Sequence, residues 1–379
     1  MSAAFSRIVT TFLCLSVNVV CFAQQKLYVN PGVDTTDKNI KDVLSFYQQY
    51  MSDFKGKKLP DFKKYWSVED CKSFKIPDPA VYGIGGDYPT YSMATAQTVF
   101  YIKPVSEHLF VLKSTGGWID SLKNYNVLYN SNHYIRRDNG KLNFISPYSY
   151  TKDQWTTNKV GTVTFFHPKT LSFKPDQANL LIKSIRQLEK DWNVPPIAIK
   201  YFYTSTYDEV QFIRGFDYTM GLGNADKPTG ISNQDDNIVY CAGNGENYFH
   251  EVVHLYLNPI HQKSPLNEGL AVFYGGSLGK PLNWHIKRLQ TYLQAHQEVD
   301  LSKLNDFYFM DNYTNPYSTI LGMLCQISFE KDGIKGLKRI MAYTSLTDIF
   351  EKEFGLNSGR QNHELRKLIA DYPVTGSTR

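Results

Sequence analysis

Apolar side chains recur at Ile40, Val43, Leu44, Tyr47, Met51 and Phe54, with polar residues between them. Steps of three and four put these positions on one face of a helix, so residues 38–54 are predicted to form an amphipathic helix with one buried side. After Pro60 the period changes. Short runs at 98–102, 109–112 and 125–129 are rich in β-branched and aromatic residues and read as strands. Asp138-Asn139-Gly140 lies between Tyr134-Ile135 and Leu142-Phe144-Ile145, where Asn-Gly supplies the positive φ angles of a tight hairpin. Residues 24–150 are therefore expected to make a small α+β domain, a helix followed by a curved antiparallel sheet. Gly83, Gly85 and Gly86 fall in this half with no helix after them, so they do not make a phosphate loop.

A second unit is expected over 160–374. Val163 to Phe166 reads as a strand. Residues 177–192 carry Leu181, Ile185, Leu188 and Trp192 at helical spacing, and Pro195-Pro196 would stop that helix. Ile197, Ile199, Tyr201 and Tyr203 alternate like a strand. Thr206 and Glu209 have the spacing of a capping box and should open a short helix through Ile213. Residues 221–230 read as a loop and 237–241 as a strand, and nearly everything from there to Leu368 reads as helix. The expected class is α+β: a small first domain, then a small mixed sheet, a site-bearing helix and a helical C-terminal part. A chain of 379 residues exceeds an ordinary single core, which agrees with two domains.

Composition narrows the class further. Hydrophobic residues make up 42% and charged residues 20%, the balance of a folded chain. The formal net charge of +5 is scattered, and no basic stripe forms, so nucleic-acid binding is not indicated. The N-terminus reads as a secretory signal. Arg7 supplies the positive end, residues 8–20 are mostly apolar, and Cys21-Phe22-Ala23 offers small residues for cleavage before Gln24. That apolar run is shorter than the ~20 residues of a spanning helix, and no later segment is long and apolar enough to cross a bilayer. The expected location is secreted or periplasmic. Removing 1–23 leaves Cys71, Cys241 and Cys325, too few for a disulfide framework. One bridge with a spare thiol and three buried thiols both remain open.

Candidate chemistry sits in Asn247-Tyr248-Phe249-His250-Glu251-Val252-Val253-His254-Leu255-Tyr256-Leu257. On a helix, His250 and His254 lie one above the other and can offer two nitrogens to a single ion. Glu251 is about 100° further round, placed to reach a bound water rather than the metal itself. Two histidines and a glutamate on an otherwise apolar helix are costly to bury without partners. A catalytic zinc takes three protein ligands and leaves one position open. The candidate third ligand is Glu268, separated from His254 by thirteen residues and on a following helix, where Gly269 and Ala271 would permit close helix approach. His261, in the intervening loop, reads as a surface residue.

His-Glu-Val-Val-His followed by Asn267-Glu-Gly-Leu-Ala-Val-Phe-Tyr274 resembles the gluzincin metallopeptidases, in their compact peptidase MA-like branch. There H-E-x-x-H is followed after a short loop by an E-G-x-A-x-[YF] helix. The gap is shorter than in the thermolysin and aminopeptidase N types, and the aminopeptidase G-x-M-E-N sequence is missing. The resemblance covers roughly residues 160–350. It implies Zn²⁺ held by His250, His254 and Glu268, with Glu251 as general base in the hydrolysis of a peptide or protein substrate. It also implies a tyrosine donor to the developing oxyanion, with Tyr317 as first candidate and Tyr313 second. The strand at 238–241 would be the edge lining the cleft, open to pairing with substrate backbone. Two other readings stand beside it: a non-catalytic protein that binds peptide or glycan on this scaffold, and a closed structural zinc site.

Overall fold

The computed structural model describes residues 26–84, 88–220 and 227–374. The expected leader and its cleavage point, Gly85, Gly86 and most of the 221–230 loop lie outside the described residues. The fold is α+β, with two mixed sheets.

The first unit runs β1 (Lys26–Val29), α1 (Lys38–Ser52), α2 (Val68–Ser73), α3 (Thr90–Met93), β2 (Ala96–Ser106), β3 (Leu109–Ile119), β4 (Tyr125–Asp138), β5 (Lys141–Ile145) and α4 (Pro147–Tyr150). Its strands lie in sequence order, β1 parallel to β2 and the rest antiparallel. Asp37 starts α1 by accepting from the Asn39 and Ile40 N–H groups. Val43, Leu44, Tyr47 and Met51 of α1 then join a core with Val99, Leu112, Tyr129 and Phe144. Asn139 and Gly140 both have positive φ, 49° and 81°, as the β4–β5 turn requires. The strands are longer than the apolar runs that announced them. Polar residues continue them inward: Ser114 and Ser131 are buried, their hydroxyls 2.9 Å apart, and Ser114 also pairs with the Tyr47 hydroxyl at 2.8 Å.

The second unit contains β6 (Trp155–Val160), β7 (Val163–Pro168), α5 (Pro175–Trp192), β8 (Ile199–Thr204), α6 (Tyr207–Ile213), β9 (Phe216–Thr219), β10 (Thr229–Asn233) and β11 (Ile238–Ala242). The sheet order is β10-β11-β8-β7-β6. Helix α5 ends on Asn193, in the left-handed region at φ 54°, two residues before the prolines expected to stop it. The Thr206–Glu209 capping box forms as predicted. Along β11, Val239 and Cys241 face the main core with Leu181 and Ile185 of α5. Ile238, Tyr240 and Ala242 face the opposite side with Phe202 and the α6 residues Val210 and Ile213.

The two units interlock. Strand β9 leaves the second unit and pairs antiparallel with β4, Tyr129 opposite Thr219. The buried Asp236 carboxylate accepts from the N–H groups of Lys75 and Ile76 at 2.7 and 3.0 Å. The break near residues 150–160 therefore separates the two main cores but not the strands.

One expectation about the sheet is corrected. Residues 238–241 are not its edge, because β11 lies between β8 and β10. The edge among the described residues is β10, whose Thr-Gly-Ile-Ser-Asn sequence has no alternating apolar pattern; its first two residues fell in the expected 221–230 loop and the rest carried no assignment. It is a strand because it pairs with β11, not because it buries a face.

Beyond β11 the described chain is helical, as predicted: α7 (Phe249–Leu257), α8 (Asn267–Gly275), α9 (Leu282–Ala295), α10 (Pro316–Met341, turning at Gly333), α11 (Leu346–Phe354) and α12 (Gln361–Asp371). No described helix is long and apolar enough to cross a membrane. Cys71, Cys241 and Cys325 are free thiols, the last two buried.

Candidate metal centre

The start of α7 is held by the sheet beneath it. Gly243 and Gly245, both at positive φ, turn the chain out of β11. The Glu246 carboxylate accepts from the Lys174 N–H and the Tyr203 hydroxyl at 2.7 and 2.8 Å. The Tyr201 hydroxyl donates to the Gly245 carbonyl and accepts from the Tyr248 N–H, each at 3.0 Å. From His250 to Leu257 every residue of α7 is buried.

Helix α8 meets α7 at Gly275. A Cβ there would stand 2.3 Å from the His250 nitrogen, so only glycine permits the approach. This corrects part of the sequence reading, which gave Gly269 that role. Gly269 instead faces α10, where an added Cβ would lie 2.5 Å from the Leu321 Cβ.

The packing brings three donors together. His250 Nε2 and His254 Nε2 are 3.2 Å apart, and the Glu268 carboxylate oxygens lie 3.4 Å from the first and 3.2 Å from the second. Ligand atoms in a tetrahedron at ~2.0–2.1 Å from a metal ion are ~3.3–3.4 Å from each other, so the three separations fit one small cation. The imidazole tautomers fit as well. His250 Nδ1–H donates to the Gly276 carbonyl at 2.6 Å, and His254 Nδ1–H to the Asn258 side-chain oxygen at 3.2 Å. Each Nε2 is left facing the other and the carboxylate. Such an arrangement of acceptors favours positive charge at its centre. Burial opposes a charge on His250, but the Glu268 carboxylate outweighs it and pushes the imidazole up to about 9. Burial likewise opposes the charge on Glu268, yet His250 and then His254 hold its carboxyl well below the usual range. Among the described residues no fourth His, Cys, Asp or Glu joins this group, so one side stays open.

The open side is a cleft of about 370 Å³. The edge strand β10 lines it from Thr229 to Ser232, with Tyr248, Glu251, Asn258, Ser277 and Leu278 around the three donors. Glu251 is buried and stands outside the donor group, beside Gly230. A Cβ on Gly230 would fall 2.6 Å from the Tyr248 ring and 2.7 Å from the Glu251 Cγ. Tyr248 stacks on His250, ring centroids 5.6 Å apart and planes within 7°. Burial first, then the nearby Glu251 carboxylate, pushes its phenol well above the usual range.

The sequence-predicted residues divide cleanly. His250, Glu251, His254 and Glu268 meet at one place. Tyr317 and Tyr313 are not among the residues lining the cleft. The Tyr317 ring packs against Tyr308, centroids 5.1 Å apart, at the start of α10, and Tyr313 is exposed in the preceding loop. His261 packs edge-on against Trp192 and is not part of the donor group. Sequence reading missed Tyr248, Gly230, Asn258 and the Gly276 carbonyl. Asn258 was open to discovery, four residues beyond His254 on the same helix face. The Gly276 carbonyl carries no side-chain signal at all.

No protein-family model, no curated protein and no solved structure matches the chain.

Proposed function

We propose that the protein is a zinc-dependent peptidase of gluzincin type, acting outside the cytoplasm once its leader is removed. One observation carries the reading: two imidazole nitrogens and a carboxylate converge at 3.2–3.4 Å, with an acidic residue that is not a ligand next to them in an open cleft.

His250, His254 and Glu268 would hold Zn²⁺, which supplies Lewis-acid polarisation of a carbonyl and acidifies a water at neutral pH. The chain's own residues do the rest. Glu251 accepts a proton from the attacking water as its oxygen bonds to the peptide carbon. It then delivers that proton to the amine nitrogen as the carbon–nitrogen bond breaks. The Gly276 carbonyl and Asn258 keep both imidazoles turned with Nε2 inward. The β10 edge offers backbone groups to an extended peptide, which would lie along the cleft as an added strand. Without a side chain, Gly230 lets β10 run close to Glu251.

Elemental analysis of the purified chain, followed by incubation with a mixed peptide library with and without chelator, tests the proposal. The expected result is one zinc per chain and chelator-sensitive cleavage. Zinc retention with no cleavage of any peptide would favour a binding protein on this scaffold, and absence of zinc affinity would remove the proposal altogether.

A further inference from the structure

The expected tyrosines stand away from the cleft lining, while another tyrosine is in it. Tyr248 is the residue from which α7 starts, and its backbone is fixed by Tyr201. Its ring is clamped between the His250 imidazole, stacked nearly parallel, and the bare backbone of Gly230. It is 5% exposed, so the phenol has little freedom to move.

Leu278 lines the same cleft beside Tyr248. Leu278 sits in a tight turn, Gly276 to Lys280, with positive φ at Gly276, Leu278 and Gly279. The turn is anchored from behind, because the buried His285 places Nε2 2.9 Å from the Ser277 carbonyl and Nδ1 3.2 Å from the Thr314 hydroxyl. The same turn offers the Gly276 carbonyl to His250. One turn thus orients the His250 imidazole and, through Ser277 and Leu278, walls the cleft next to Tyr248. A phenol O–H can donate one hydrogen bond. Tyr248 lines the cleft together with Glu251 and the three donors.

We infer that Tyr248 is a catalytic residue of the proposed hydrolysis: its hydroxyl donates a hydrogen bond to the scissile carbonyl oxygen as that oxygen gains negative charge. No proton is transferred, and the O–H bond remains intact throughout. The inference rests on the peptidase reading above. The stacking on His250 and the close Gly230 backbone hold the ring in place, so the donor needs no reorganisation, which is the condition under which such donors are effective. It follows that Tyr317 and Tyr313 do not serve this step.

The test uses the full zinc-loaded chain, its Tyr248→Phe and Tyr317→Phe variants, and a peptide that the unaltered protein cleaves. Phe keeps the ring and its stacking on His250, so zinc content and melting temperature should not change. Tyr248→Phe is expected to lower kcat on the order of 10²-fold with little change in KM. It is also expected to weaken binding of a phosphinic peptide of the same sequence, a tetrahedral mimic, by a similar factor. Tyr317→Phe should leave both within about twofold. Retention of kcat and of phosphinic-peptide affinity by Tyr248→Phe overturns the assignment, as does a loss carried by Tyr317→Phe instead. Either of those results leaves the peptidase reading standing. Zinc binding without cleavage by the unaltered chain overturns that reading, and the Tyr248 role with it.

Discussion

The Asn258 side-chain oxygen lies 3.2 Å from His254 Nδ1, one helical turn beyond the histidine it orients. Asn258 also closes α7 and lines the cleft, so it joins the end of the helix to the donor group. Removing it leaves His254 free to change tautomer or rotate. Asn258→Ala is expected to weaken zinc affinity by about 10- to 100-fold while the chain stays folded. Competition with a chelator of known affinity checks this, and unchanged affinity would show that His254 needs no such partner.

Glu251 is buried beside the three donors without belonging to them. Glu251→Gln keeps the shape and removes the base. Zinc stoichiometry should be unchanged, whereas cleavage should fall at least on the order of 10²- to 10⁴-fold. Full activity in this variant, measured on any peptide the protein cleaves, would remove Glu251 from the mechanism.

Three acceptors pressed together at 3.2–3.4 Å are at ease only with positive charge among them. Zinc should therefore stabilise the folded chain. At a free concentration a hundred times its dissociation constant the gain is about 2.7 kcal/mol, which calorimetry would register as a higher melting temperature that chelation reverses. Glu268→Ala should abolish most of that response. A variant that still melts higher with zinc would place the third ligand elsewhere.

Gly275 is the point where α8 touches the backbone of His250. A methyl group has no room there. Gly275→Ala is expected to destabilise the fold by ~1–3 kcal/mol and to reduce zinc affinity, since pushing α8 away also moves Glu268. Denaturant titration and chelator competition measured together would show whether both fall, and a neutral result in both would mean that the helices can part without cost.

Asp236 ties the two units together by accepting two backbone N–H groups from residues 75 and 76. Asp236→Ala strands both donors in a part-buried position. A loss of about 1–3 kcal/mol is expected by urea unfolding. Zinc affinity should not change, because the clamp lies on the N-terminal side of β11, away from the cleft lining.

Much of this protein was legible before any coordinates. Local periodicity marked α1 and α5, a dipeptide marked the β4–β5 turn, and two histidines four apart marked α7 and two of the three donors, because each signal is confined to a stretch no longer than one element. The same locality explains what was missed. Strand β10 has no hydrophobic alternation to reveal it and exists through hydrogen bonds to β11. The buried serines of β3 and β4 lie beyond the apolar runs that marked those strands, and their partners are residues 17 to 67 positions away.

At the site the division is sharper. The amino-acid order by itself put His250, Glu251 and His254 on one helix, since a spacing of four is a property of the helix alone. Only the folded arrangement brought Glu268 within 3.4 Å of both imidazoles, put Gly275 rather than Gly269 against α7, and set Tyr248 rather than Tyr317 among the residues lining the cleft. Those outcomes depend on how separate helices and a turn pack against one another, and that packing is set by contacts between residues far apart in the chain.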